Sequence, residues 1–460
     1  MKKIFSRLKI ICKSKNFPEM IDNTPEEYIQ FMMFFAPFLF MILPLWQLIH
    51  NFISPEMHDI SFYTKANFIL LCAATIGVLG IILHFAKKIR TDGKPSLKNA
   101  VKSNIPMVFF LFVILMMIIS TLINGFTDCA LYGDIYRHES LFTYIVYFAV
   151  YFLSATIITN KKFKSILLYT FIIISLPVGI FTFIDYAFVS LEAFDLCAGV
   201  SSVYHQFNHY GYYLLMVILV SAALFVKEKN TALRILCLVS FIFNNVLLII
   251  NDTFGCYLAC FIALIFNCIV ISITEKKFDI KSVILLAVFV IITLIMNVWV
   301  HTIFSNILVF TKDVGNIISK PENSENAGTG RWTLWTHTID YIKEKPLFGF
   351  GVEGTNIRLH TDTHGINDRP HNEFLQYAAF FGIPAAIAYF CGAFSVFLNG
   401  LKNRYKLDKF AVAALVSAFA YLVSSFFGNT MYYTAPYFFI LLGMGFAKSS
   451  EENIENSSKI

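Results

Sequence analysis

The chain alternates between long apolar runs and shorter polar connections. An apolar helix of about 20 residues crosses the ~30 Å hydrocarbon core of a bilayer. Twelve segments of that kind can be placed, at 29–53, 66–86, 105–124, 140–159, 164–186, 210–226, 232–250, 254–273, 280–300, 373–398, 410–427 and 433–447. The pattern predicts an all-α, polytopic membrane protein with about twelve transmembrane helices.

The composition supports this prediction. Of the 460 residues, 57% are hydrophobic and only 14% are charged, and the mean hydropathy is +0.65. Soluble domains carry roughly one-quarter charged residues. A soluble enzyme and a nucleic-acid-binding protein are therefore excluded, and membrane lipids are the expected surroundings.

Basic residues orient the predicted bundle. Most of the 36 Lys and Arg residues fall in alternate connections, beginning with the N-terminal segment and ending with the C-terminal tail. The positive-inside rule assigns such connections to the cytoplasm. We expect a multi-pass protein of the plasma membrane with both termini cytoplasmic, and this orientation also explains the net charge of +6.

One connection is far longer than the others and lies on the predicted outer side. Long connections without a disorder composition are usually functional. We therefore predict four parts: a membrane bundle of spans 1 to 9 (1–300), an extracytoplasmic loop carrying the active site (301–372), spans 10 to 12 (373–447) and a cytoplasmic tail (448–460).

The second half of this loop has a helical pattern. Residues 316–330 are predicted to be flexible, and an amphipathic helix follows that is expected to lie in the membrane interface. Pro346 ends the helix, and Gly349, Gly351 and Gly354 allow the chain to turn sharply. The apolar stripe of the helix consists of Trp332, Trp335, Ile339 and Ile342.

Arg331 occupies the first turn of this helix. Free N–H groups at a helix start favour an anion, and a guanidinium adds a bidentate fork suited to phosphate. The alternative is an interfacial arginine that reaches lipid headgroups.

Three histidines and three carboxylates lie between His360 and Glu373. Their spacing matches no established metal motif, so we expect neither a metal nor another cofactor. His371 directly precedes the tenth span, and a neutral imidazole there suits a general base. The alternative is an ordinary histidine at a membrane boundary.

Two further outer segments are expected to face the same cavity. The first, residues 132–139, contains Arg137 and Glu139, and the second, residues 205–211, contains Asn208. Arg137 is either a second phosphate contact or the partner of Glu139 in a screened surface pair.

Several motifs of the loop and of the span that follows it occur in a fixed order: Gly330-Arg331-x3-Trp335, Pro346-Leu347-x-Gly349-x-Gly351, His371-Asn372-x-Phe374-Leu375 and Gly382. Taken together, they resemble the signature of the O-antigen ligase and O-antigen polymerase superfamily, over about residues 125–445. The resemblance implies inverting, metal-independent glycosyltransferases of the bacterial plasma membrane. Such enzymes move a saccharide from an undecaprenyl diphosphate carrier to the hydroxyl of an acceptor glycan or lipid.

The resemblance also implies residue roles. Arg331 holds the diphosphate and His371 acts on the acceptor hydroxyl. Many members carry another arginine at the start of the span matching 252–273, and this chain has none there. The second phosphate contact must then come from another arginine. The remaining residues expected to contact substrate are Arg137, Arg358, Arg369, Trp335, Asn372 and Asn208.

Polymerase and ligase both stay open, with a slight preference for a polymerase. A transporter or flippase of polysaccharide precursors is the rival, because twelve spans with both ends inside would suit it. The absence of an evident repeat between the two halves and the position of the polar loop outside the bilayer midplane oppose that reading. A third possibility is a non-catalytic scaffold.

Overall fold

The computed structural model describes residues 11–53, 59–93, 101, 104–134, 137–157, 160–187, 199–204, 206–319, 327–365 and 367–446, and these contain helices and turns but no strand. The α-helices are α1 Phe17–Asn23, α2 Glu26–Ile53, α3 Asp59–Asp92, α4 Ile105–Asn124, α5 Asp128–Tyr132, α6 Leu141–Ile157, α7 Lys161–Ala187, α8 Phe207–Lys227, α9 Thr231–Asn251, α10 Phe254–Glu275, α11 Ile280–Val300, α12 Thr302–Ser319, α13 Arg331–Glu344, α14 Asn356–Asp362, α15 Glu373–Phe381, α16 Ile383–Lys402, α17 Lys409–Ser425 and α18 Ala435–Gly445.

The predicted all-α, polytopic membrane fold is confirmed. Nine of the described helices are long and apolar enough to cross a membrane: α2, α3, α4, α7, α8, α9, α10, α11 and α16. Helices α6, α17 and α18 are shorter but also apolar. Together they correspond to the twelve predicted spans.

Helix α8 forms the centre of the bundle. Nearly all of its residues are buried, and it packs against α9, α10 and α17. Helix α6 packs on α18, α4 on α16, and α2 on α3. By contrast, α3 and α11 expose many apolar side chains, as expected of surfaces that face lipid.

The tenth span differs from its prediction. It was expected to be one helix over 373–398, but Gly382 divides it into the buried helix α15 and the longer α16. Gly382 has φ +91°, where a side chain would be strained. The break exposes the last carbonyl groups of α15, so these need hydrogen-bond donors from elsewhere.

The Pro346–Gly351 turn supplies those donors. The N–H groups of Phe350 and Gly351 donate to the carbonyls of Ala379 and Phe380 at 2.9 and 2.8 Å. In return, the N–H of Ile383 donates to the carbonyl of Pro346 at 2.8 Å. The glycines of this turn and Gly382 therefore serve one purpose: they let the loop dock into the break.

The start of the long loop also differs from its prediction. Residues 316–319, expected to be flexible, are the last residues of the amphipathic helix α12, while 320–326 lie outside the described residues. Helix α12 itself was not predicted. Its exposed apolar residues include Leu308 and Ile318.

The predicted helix at Arg331 is present as α13, but its buried face is rotated. Ile342 of the predicted stripe is buried, together with Leu334, Thr338 and Tyr341, whereas Ile339 of that stripe is exposed. The turn formed by residues 327–330 sets this rotation, because Gly328 and Gly330 have positive φ angles. As a result, Arg331 points inward.

Candidate active site

Arg331 is a partly buried cation with no carboxylate partner among the described residues. Its Nη1 donates to the carbonyl of Gly328 at 3.0 Å and to Thr329 Oγ1 at 2.8 Å, while its Nε is buried without a hydrogen-bond partner. Burial lowers the pKa of Arg331 somewhat from its ordinary value. A buried charge without a counter-ion is costly, so this geometry favours the binding of an anion.

Trp335 lies one turn further along α13. Its indole Nε1–H is also buried and has no hydrogen-bond partner within the described residues. Residues four apart on a helix lie on the same face. Arg331 and Trp335 therefore present two unsatisfied N–H donors to one region, next to Tyr212 of α8 and Cys256 of α10, both of which interact electrostatically with Arg331.

His371 faces the same region from the other side. Its backbone has φ +49° and is held by a hydrogen bond of 2.7 Å from its N–H to Asn429 Oδ1. Burial lowers the pKa of His371, and Arg331 and Arg137 lower it further, to about 3. The imidazole is therefore neutral near pH 7 and available to accept a proton.

Strained backbone is concentrated around this site. A non-glycine residue with a positive φ angle is uncommon outside helix ends and is often functional. His138, Thr329, Glu353 and His371 all have φ between +49° and +60°. The hydrogen bonds and ion pairs of the surrounding segments hold them in place.

Arg137 and Asp368 form a half-buried pair beside His371. The guanidinium donates to both carboxylate oxygens, with Nε at 3.0 Å from Oδ2. Asp368 was not predicted as the partner of Arg137. Arg137 pairs with it and not with Glu139, which was the partner considered from the sequence. Because this bidentate pair is only about 30% exposed, it is screened less than a surface pair.

Arg369 lies at the centre of a second, fully buried cluster. Its guanidinium pairs with both Glu139 and Glu353, and Nη1 also donates to the carbonyl of Thr430 at 3.3 Å. Burial raises the pKa of Glu353 to about 7, and repulsion from Glu139 adds to this despite the opposing effect of Arg369. This cluster ties the start of α6 to the long loop and to the segment before α18.

The cluster continues into α15. Thr430 Oγ1 donates to Glu373 Oε1 at 2.7 Å, and the Thr430 N–H donates to Gln376 Oε1 at 3.0 Å. Asn372 caps α15 by accepting from the Leu375 N–H at 3.0 Å. The segment that holds His371 is therefore fixed on both sides.

The predicted site residues do not all come together. Arg331, Trp335, Arg137 and His371 lie in one region, Arg369 is enclosed beneath them, and Asn372 serves as a helix cap. Arg358 lies apart: it pairs with Glu344 at 2.7 Å on the exposed surface and stacks on the ring of Tyr341.

Several residues of this region were not predicted from the sequence. His209, the neighbour of Asn208, is buried, stacks on Tyr433 and interacts electrostatically with His371. Asn429 and Thr430 were missed because they lie in a short connection between two apolar spans. The sequence signal was present in the triplet Gly428-Asn429-Thr430, which is polar within an otherwise apolar region.

The middle of the bundle has a different character. Asn244 donates to Ser175 and Ser240, and Ser221 donates to Ser240, all at 3.0 Å. These uncharged side chains hydrogen-bond to one another between helices, as is common in membrane bundles. The arginines and carboxylates described above lie instead at one end of the bundle.

Residues 235–390 match a family described as Wzy_C, O-antigen ligase. The matched region runs from α9 into α16 and includes Arg331, the docked turn and His371. No curated protein matches the chain.

Proposed function

We propose that the chain transfers a saccharide from an undecaprenyl-diphosphate-linked donor to an acceptor hydroxyl, a proposal supported by the match of residues 235–390 to the O-antigen ligase family. The matched family supports glycosyl transfer of the ligase or polymerase type in polysaccharide assembly. The donor, the stereochemistry and the residue roles are our proposal. The reaction would take place at the outer face of the bacterial plasma membrane, with both termini in the cytoplasm.

The observation that carries this proposal is the unpaired cation at Arg331. Of the four arginines considered for the diphosphate, Arg137, Arg358 and Arg369 each pair with a carboxylate, whereas Arg331 has none among the described residues. A diphosphate would supply the missing counter-charge. It would also accept hydrogen bonds from Arg331 Nε and Trp335 Nε1, two buried donors on α13 that have no partners within the described residues.

The transfer step follows from this placement. The acceptor oxygen attacks the anomeric carbon as the bond from that carbon to the diphosphate oxygen breaks, and the configuration inverts. The bonding electrons leave with undecaprenyl diphosphate. Arg331 stabilises the negative charge that develops on the leaving oxygen, and such stabilisation in a water-poor site contributes strongly to catalysis.

His371 takes the proton of the acceptor hydroxyl in the same step. The neutral imidazole required for this is favoured by its burial and by the neighbouring Arg331 and Arg137. Binding of a diphosphate would neutralise part of that positive charge. The basicity of His371 would then increase as the donor binds, which couples the base to the presence of its substrate.

Arg137 is our candidate for the second phosphate contact. It is half-buried, and among the three paired arginines it has the strongest electrostatic interaction with His371. Arg369 is fully buried between two carboxylates, and Arg358 lies on the exposed surface. We propose that Arg369 positions the His371 segment and does not touch the donor.

The test compares lipid-linked saccharides extracted from cells that carry the wild-type chain, Arg331→Ala or Lys343→Ala. Lys343 is the matched control. It is an exposed cation on the same helix as Arg331, and it pairs with Asp340, which is exposed as well. Arg331→Ala should remove transfer and Lys343→Ala should retain it. Accumulation of single repeats in Arg331→Ala identifies a polymerase, and accumulation of long lipid-linked chains identifies a ligase.

Unchanged saccharide pools in Arg331→Ala would refute the proposal. The transporter or scaffold alternatives would then be preferred. A transporter is less well supported by the arrangement of side chains, because transporters place their substrate sites near the bilayer midplane. In the described residues that region holds the uncharged Ser175–Asn244 cluster, whose members bond to one another.

A further inference from the structure

A second candidate binding site lies at the opposite end of the bundle from His371. Helix α10 begins at Phe254, close to Arg331, and ends at Glu275, about 33 Å away for 22 helical residues. At that far end lies an open pocket of about 500 Å³. It is lined by Ile273, Lys276, Leu401, Arg404 and Tyr405.

Two cations in this pocket have no acidic partner among the described residues. Lys276 Nζ lies 4.5 Å and the Arg404 guanidinium carbon 4.6 Å from the centre of the Tyr405 ring. Arg404 also donates to the carbonyl of Leu401 at 3.0 Å. A ring stabilises a cation only weakly at an exposed position, so the positive charge of both side chains is largely uncompensated.

Three carboxylates at the same end are already engaged in ion pairs, so they are not available to Lys276 or Arg404. The ion pairs concerned are Glu275–Lys227, Glu228–Lys409 and Asp408–Lys164.

Apolar side chains of α10, α16 and α17 continue from the pocket towards the middle of the bundle. Phe419 of α17 lies between the other two helices: its ring stacks on Phe266 of α10 at 4.1 Å and meets Phe397 of α16 edge-on at 5.9 Å. On α10 and on α16, an apolar stripe at helical spacing continues from a residue of the pocket. The stripes are Ile273, Ile269 and Ile265 on α10, and Leu401, Leu398 and Phe394 on α16.

We propose that this pocket binds the headgroup of an acidic phospholipid, with its acyl chains against the two apolar stripes. Lys276 and Arg404 would contact the phosphate, and Tyr405 would line the headgroup site. A basic pocket between helix ends on the cytoplasmic side is typical of acidic-lipid sites, and the positive-inside rule places this end in the cytoplasm. A free phosphate would use the same cations but would leave the apolar stripes uncovered.

The test uses the full-length chain purified in a neutral detergent and mass spectrometry under non-denaturing conditions. Phosphatidylglycerol or phosphatidylcholine is added to the wild type, to Lys276→Gln/Arg404→Gln and to the control Lys162→Gln/Lys229→Gln. The control removes the same charge from two exposed lysines outside the pocket. Size-exclusion elution verifies that each variant is folded.

We expect the wild type and the control to retain one phosphatidylglycerol. The pocket variant should bind it roughly 30-fold more weakly, because each of the two basic side chains near an acidic lipid contributes roughly fivefold in affinity. Phosphatidylcholine should not be retained, and excess inorganic phosphate should not displace phosphatidylglycerol. Equal retention by the pocket variant would overturn the proposal. So would full displacement by phosphate, which would show a site for a free anion. Neither result depends on the saccharide assay of Arg331→Ala.

Discussion

Replacement of Gly382 by alanine should undock the Pro346–Gly351 turn. A β-carbon at position 382 would lie 2.8 Å from the backbone nitrogen of Phe348 and closer still to the carbonyl of Leu347. These atoms belong to the backbone and cannot rotate away. The turn must therefore move as a whole, and its hydrogen bonds to the ends of α15 and α16 are lost.

Gly125 provides a matched control that separates this contact from backbone strain. Gly125 ends α4 at φ +93° and ψ +149°, and Gly382 ends α15 at φ +91° and ψ +160°. Alanine is strained at both positions, by about 1–3 kcal/mol. A β-carbon on Gly125, however, has no atom within 4 Å. The difference between the two variants is therefore the cost of displacing the turn.

That cost can be worked from the hydrogen bonds. Three backbone hydrogen bonds join the turn to α15 and α16. Each contributes about 1 kcal/mol net, so the docked state of Gly382→Ala should be about 3 kcal/mol less favourable than that of Gly125→Ala. This corresponds to roughly a 100-fold increase in the undocked population.

Limited chymotrypsin digestion measures this population. Leu347 and Phe348 are exposed cleavage sites in the turn, and cleavage follows the undocked population when docking is fast relative to cleavage. Fragments identified by mass spectrometry should show roughly 100-fold faster cleavage at these residues in Gly382→Ala than in Gly125→Ala. Equal cleavage rates in the two variants would refute the role assigned to the turn.

Three further predictions concern the site itself. His371→Asn should lower saccharide transfer roughly 10²- to 10⁴-fold, as expected for a lost general base. His364→Asn is the control and should leave transfer unchanged, because His364 is exposed. Both histidines have positive φ angles, which asparagine tolerates. Equal losses would argue against the base. Because the pKa of His371 is lowered to about 3 by burial and the nearby arginines, kcat/KM should stay level from pH 8 to pH 5, and a decline centred near pH 6.5 would contradict the assigned environment. Burial raises the pKa of Glu353 in the folded protein from 4.5 to about 7. Between those two pH values the folded state therefore holds a proton that the unfolded state has lost. The free energy of unfolding should fall as the pH rises through this range. Glu353→Gln, which still accepts from Arg369, should remove that part of the fall in the thermal midpoint between pH 5 and pH 8; an unchanged pH dependence would show that Glu353 does not titrate there.

The sequence was sufficient for the overall architecture because membrane spans follow from apolar length and helix ends follow from local signals. Asn230, Asp279 and Asp408, for example, each cap the helix that follows them. It was also sufficient to place a helix at Arg331. The amphipathic pattern identified that helix, but it could not fix which face is buried, since Trp332 and Ile339 are as apolar as the residues that pack inward.

Long-range pairing of the charged residues was beyond the reach of the sequence. Arg369 pairs with Glu139 across more than 200 positions, and Arg137 pairs with Asp368 across a similar separation. Spacing along the chain carries no information about such contacts. The break at Gly382 was missed for a related reason, since the turn that stabilises it comes from an earlier part of the loop.

The docked turn explains why the motifs of the loop form one structural unit. The turn fixes the end of α15, and the start of α15 holds the Asn372 cap directly after His371. Helix α13, which presents Arg331, packs against the same short helix. The distance between the proposed base and the proposed phosphate contact is therefore set by α15, so the Gly382→Ala variant should impair transfer even though Gly382 contacts neither residue. Full transfer activity in a variant whose turn is shown by proteolysis to be undocked would mean that α15 does not control this distance.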